Sequence, residues 1–91
     1  MKNVTLKGIA VTNTKVFKHQ EKILFGFNKV FFDGQIRKII FEEELAKKAL
    51  EQIKEGDEVK IEGECHTIEA LTHEGFIAEF KEVFVQSFQL L

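Results

Sequence analysis

Between Ala49 and Glu64 the stretch ALEQIKEGDEVKIEGE changes its period around a single glycine, Gly56. Upstream, Leu45, Ala46, Ala49, Leu50 and Ile53 recur at the spacing of one helix face, which predicts a helix over 42–54. Glu42, Glu43 and Glu44 suit the positive end of its dipole and Lys54 the negative end. Glu43–Lys47 and Glu44–Lys48 are i,i+4 pairs in the favourable order. Downstream, Val59 and Ile61 alternate with Lys60 and Glu62, the period of a half-buried strand that runs through Cys65. Gly56 is expected to stop the helix, because it tolerates the left-handed conformation. A chain that passes from helix to strand with no linker must pack both against one core.

The other segments follow from alternation and turn chemistry. Residues 4–11 are β-rich, with Gly8 expected as a bulge or bend. Residues 12–20 read as a polar loop with room for a short pairing segment, and 23–32 and 36–41 as strands. Asp33-Gly34 between them can take the positive φ angles of a tight hairpin. Residues 67–75 read as a loop and 76–91 as the last long strand. With no proline, the turns rest on Gly, Asn and Asp. Five β-rich segments with a helix between the third and fourth predict an all-β chain with one helix, the five-stranded Greek-key barrel of the OB (oligonucleotide/oligosaccharide-binding) fold. The alternative is a two-layer α+β sheet. The 91 residues suffice for one domain and not for two cores.

The hairpin assigns sides. Cross-strand partners share a face, so Lys29, Phe31, Ile36, Lys38 and Ile40 point one way. Val30, Phe32, Arg37, Ile39 and Phe41 point the other. The first set interleaves an aromatic ring with two lysines, as single-strand binding requires: cations for phosphates and a ring for bases. Two lysines paired across strands also repel unless an anion lies over them. Lys7 and Lys60 are outward by alternation and would extend the basic path. Phe25 and Phe27 are assigned to the core, on the expectation of a bulge that flips the register away from the turn. On an unbroken last strand, Phe80, Glu82, Phe84, Gln86 and Phe88 share one side, and Lys81, Val83 and Val85 the other. Apolar residues on both sides predict a homodimer or homotetramer.

Charge and composition exclude several classes. Thirteen basic and fifteen acidic side chains give a net charge of −2, which excludes a blanket polycation but allows a local basic stripe. One cysteine cannot form an internal disulfide, and no apolar run reaches signal-peptide or membrane-spanning length. A cytoplasmic protein with no membrane partner is expected. Cys65-His66, His73 and His19 lack the paired spacing of a zinc site. Cys65 lacks the setting of an activated thiolate, and no glycine-rich phosphate loop exists. No enzyme activity, metal or cofactor is expected.

NVTLKG, the run IRKIIFEEELAKKALEQIKEGDEVKIEGE with GDEVKIEG inside it, and EVFVQSFQLL carry a family likeness in the right order. Over nearly its whole length the chain resembles bacterial single-stranded DNA-binding proteins. The resemblance implies the OB fold, single-stranded DNA (or RNA) as partner, contact with replication proteins, and a role in replication, recombination or mobile-element maintenance. In the family a long loop between strands two and three embraces DNA; here it has shrunk to Asp33-Gly34. Base-stacking tryptophans are replaced, with Ile36 near one position and Ala70 or Leu71 near another. With Leu91 as the last residue, the expected form is a tail-less version, similar to primosomal replication protein N or a plasmid- or phage-borne relative. The alternative is an adaptor barrel that kept the fold and lost the nucleic-acid surface.

Overall fold

Leu6 and Ala10, Val30, Ile39 and Phe41, Val59 and Ile61, and Val83 and Val85 are the buried members of alternating runs. Their inward rows meet in one core, together with Ala46, Ala49 and Ile53. The computed structural model describes residues 2–91 and forms β1 (Lys2–Ala10), β2 (Lys15–His19), β3 (Lys22–Phe32), β4 (Gln35–Glu42), α1 (Glu43–Gln52), β5 (Glu58–Leu71) and β6 (Ile77–Leu90).

The sheet order is β1-β5-β6-β4-β3-β2, and β1 also pairs with β3 through Ile9↔Phe31 and Ala10↔Val30. That pairing closes the sheet on itself, which excludes the open two-layer alternative. All neighbours are antiparallel except β4 and β6. β2 is a short sixth strand laid against β3, within the segment expected to be a polar loop.

Closure needs a close approach at Gly8. A Cβ there would meet the Phe31 carbonyl oxygen and lie 2.6 Å from Val30 Cγ1. Gly8 is therefore neither a bulge nor a bend: the β1–β5 register runs through it unbroken.

The helix is shorter than its sequence pattern. Ile53 already has an extended backbone, and Gly56, at φ +89°, turns the chain four residues beyond the last helical residue. The turn is held from outside: Gly56 N–H donates to Ala10 O at 2.8 Å, and Lys54 N–H to Asp57 Oδ2 at 2.8 Å. Lys54 still serves the helix end, donating from Nζ to Leu50 O at 2.9 Å. Ala46 packs on Gly26 of β3, where a Cβ would stand 2.9 Å from its own.

Two further expectations fail for stated reasons. Residues 67–71 are strand, paired from Thr67↔Lys81 to Leu71↔Ile77, and only 72–76 form the turn. This arm buries neither face, so no hydrophobic alternation announces it. β6 is also not of one parity. Its register shifts from Glu62↔Ser87 to Gly63↔Val85, leaving Gln86 as the extra residue. Phe84 thus stays outside, 40% exposed, while Phe88 turns inward and meets Phe41 edge-on at 5.7 Å.

Candidate nucleic-acid interface

Asp33 (φ +46°) and Gly34 (φ +75°) make the two-residue turn, and the β3–β4 register is unbroken from Phe32↔Gln35 to Phe25↔Glu42. The strands are therefore sided as the hairpin predicts. Lys29, Phe31, Ile36 and Lys38 are exposed, with Phe31 at 47% and Ile36 at 57%, and Ile40 is half-buried on the same side. Val30, Ile39 and Phe41 are fully buried behind them.

The assignment of Phe25 and Phe27 to the core is overturned. The β3–β4 register is unbroken from the turn back to Phe25, and the one irregularity of β3, at Leu24 against β2, lies beyond it. The inward positions flanking Phe27 are taken by Gly26, under the helix, and by Asn28. Asn28 is buried, donates to Thr12 O and Thr14 Oγ1, and accepts from Lys29 N–H and Thr12 Oγ1. With these two inside, Phe25 and Phe27 lie on the outer face with Phe31. β2 widens that face, placing Lys15 opposite Phe27 and Phe17 opposite Phe25. The Phe17 and Phe25 rings stack 5.4 Å apart at 5°, and Phe25 and Phe27 lie 6.4 Å apart. Ile9 of β1 stands beside Phe31, so Ile9, Phe31 and Ile36 form an exposed apolar row across three strands.

Charge is graded over this face. Lys29 and Lys38 are direct partners, but Glu82 relieves part of their repulsion. Parallel pairing brings Glu82 beside Lys38, whose Nζ lies 3.6 Å from its carboxylate and 5.7 Å from the Phe27 ring centre. The lysine pair thus does not by itself demand a polyanion. Lys29 has no carboxylate within 4 Å among the described residues. Farther along, Glu42 and Glu64 line a groove with Phe25 and Phe84, and that end is acidic.

Lys7 and Lys60 are partners across β1 and β5, both on the barrel exterior. Lys7 stands two residues from Ile9, about 7 Å along the strand. Lys60 is engaged by Glu62 at 3.5 Å. Ala70 and Leu71 sit at the far end of the β5–β6 arm, exposed and paired with Ala78 and Ile77.

Among the described residues no three His, Cys, Asp or Glu side chains converge on a metal position, so Cys65, His66, His73 and His19 form no such cluster. No described helix is long and apolar enough to cross a membrane. Phe17, Phe25, Phe27, Lys15 and Phe84 were missed as face residues. The signal for Phe25 and Phe27 was present, since the β3 alternation simply continues.

A closed sheet of this order, with α1 between the third and fourth barrel strands, is an OB fold, and β3–β4 is the strand pair whose outer face binds oligonucleotides in such barrels. Solved structures share the architecture, two of them as follows. The Plasmodium falciparum SSB in complex with ssDNA superposes with a TM-score of 0.81 at 10% identity, over 100% of this chain and 95% of the other. The SSB domain of a Synechococcus sp. protein gives 0.76 at 18% identity, over 98% and 94%. No family model matches the chain, and no curated protein matches it in sequence.

Proposed function

We propose that this chain is a non-catalytic, single-domain protein that binds single-stranded DNA on the outer face of β3 and β4. The observation that carries the reading is the juxtaposition on that face of Phe25, Phe27 and Phe31 with Lys15, Lys29 and Lys38. Rings accept bases of any sequence, and each stack contributes about 1–3 kcal/mol. Lysines follow the phosphates, so Lys29, Lys38 and Phe31 form the centre and Ile36 an apolar support. Lys7 is the next cation along the path and Lys60, held by Glu62, the weakest contributor. The likeness to an SSB in complex with ssDNA supports the same ligand here. A role in replication, recombination or mobile-element maintenance, contact with replication proteins, and a homodimer or homotetramer in the cytoplasm complete the proposal.

Polarisation of a labelled oligo-dT tests it at about 50 and about 200 mM salt, where a log–log slope of about −0.7 per phosphate contact is expected. Absence of binding to both oligo-dT and oligo-U at the lower salt overturns it. The adaptor reading draws on Glu82, Glu42 and Glu64, which set carboxylates among the rings. It predicts no strand binding and recovery of a protein partner.

A further inference from the structure

The barrel end opposite α1 is open. β1 begins there with Lys2 and Val4 and ends at Ala10, which accepts from Gly56 just past the helix. β4 likewise passes Arg37 there and ends at Glu42, where α1 begins. The opening is a hollow of about 580 Å³, lined by Lys2, Val4, Arg37, Cys65, His66, Thr67 and Lys81, and His66 lies 3.4 Å from the Glu64 carboxylate. Three cations from three strands face it, and no carboxylate lines it.

Arg37 is the fixed member. Its guanidinium lies 5.6 Å from the Phe32 ring centre, donates from Nη1 to Cys65 Sγ at 3.6 Å, and from Nη2 to Gln35 Oε1 at 3.3 Å. It is half-buried, and none of these partners carries a formal negative charge. Among the described residues neither Arg37, Lys2 nor Lys81 has a carboxylate within 4 Å. A partly buried guanidinium without a counter-charge gives up some of its hydration, and Lys2 and Lys81, both exposed, line the same hollow and add a water-screened repulsion. A bound anion offsets both.

We infer that this hollow binds a phosphate dianion, with Arg37 giving its planar donor fork to two phosphate oxygens, and Lys2 and Lys81 supplying charge. The site is separate from the strand-binding face, because Arg37 and Lys38 are adjacent on β4 and point to opposite sides of the sheet. The group is either a free phosphate or pyrophosphate, or the terminal phosphate of a nucleic-acid strand.

Cys65 reports on occupancy, being the sole cysteine of the chain and part of the lining. Its alkylation by iodoacetamide is followed with inorganic pyrophosphate, against sodium chloride of equal ionic strength, alongside the thermal midpoint. Pyrophosphate is expected to slow alkylation about tenfold at ten times its dissociation constant and to raise the midpoint. Arg37→Gln and, separately, Lys81→Gln are expected to abolish both effects. Phe31→Ala should retain them, which separates this site from the outer face. Protection by a 5′-phosphorylated oligo-dT at lower concentration than by its unphosphorylated form assigns the strand end. Protection by pyrophosphate and by neither oligonucleotide assigns the free anion; equal protection by both oligonucleotides overturns the assignment to a phosphate dianion. Unchanged alkylation and midpoint in the parent protein, or protection persisting in both variants, overturns the inference.

Discussion

The ammonium of Lys38 lies 5.7 Å from the centre of the Phe27 ring, on the face where β3 and β4 run side by side. Its other neighbour is the Glu82 carboxylate at 3.6 Å. A cation so placed serves a phosphate only in competition with that carboxylate. Glu82→Gln should therefore tighten oligo-dT binding severalfold and steepen the log–log salt slope by about 0.7, the increment of one further phosphate contact. Polarisation at several salt concentrations measures both. Weaker binding in this variant would show that the carboxylate positions Lys38 rather than competing for it.

Phe31 and Lys29 contribute by different physics, and the two variants separate them. Phe31→Ala should cost about 1–3 kcal/mol of binding and leave the salt slope unchanged, because a stacking surface is lost and no charge. Lys29→Ala should flatten the slope by about 0.7. Neither should shift the urea midpoint much, since both side chains already face water. A large stability loss in either would assign it to packing.

Closure of the sheet depends on the missing side chain at Gly8. Gly8→Ala places a methyl against the Phe31 carbonyl oxygen and Val30 Cγ1, and neither backbone can withdraw without breaking Ile9↔Phe31 and Ala10↔Val30. A loss of about 1–3 kcal/mol is expected from overpacking, read by urea denaturation. Gly34→Ala provides the contrast. Nothing lies within 4 Å of its Cβ position, so the cost is only that of its left-handed backbone, about 1 kcal/mol. Equal losses at the two positions would remove the case for a steric closure point at Gly8.

Where hydrophobic alternation met a buried face, the sequence was legible. Val59 and Ile61, Ile39 and Phe41, and the sidedness of Lys29, Phe31, Ile36 and Lys38 follow from period two and a two-residue turn, and the structure agrees. The core assignment of Phe25 and Phe27 rests on a bulge between them and the turn, and the β3–β4 register has none there. The decisive fact was that Gly26 and Asn28 fill the inner positions, a tertiary contact with α1 and with residues 12–14. Phe88 was misplaced because the extra residue Gln86 carries no mark in composition. The arm at 67–71 escaped because a strand with both faces in water has no periodic signal. Glu82 could not be paired with Lys38 from sequence, since parallel strands 44 residues apart have no turn to set their register.

Asn28 joins the connection after β1 to the strand that carries most of the face. Its amide donates to Thr12 O at 3.0 Å and Thr14 Oγ1 at 3.1 Å, and its oxygen accepts from Lys29 N–H at 2.7 Å. Thr14 in turn donates to Ile53 O at 3.2 Å, so one buried amide links β3, the loop and the end of α1. Asn28→Leu preserves approximate volume and removes every one of these partners. The variant should lose about 1–3 kcal/mol, the cost of leaving buried polar groups unpaired. Amide hydrogen exchange should quicken at residues 11–14 and along β2, and remain unchanged in the β5–β6 arm, which shares no hydrogen bond with Asn28. Because β2 presents Lys15 and Phe17, oligo-dT binding should weaken in the same variant without any outward side chain having been altered. Uniform acceleration of exchange across the whole chain would instead assign Asn28 to global stability and leave the face independent of it.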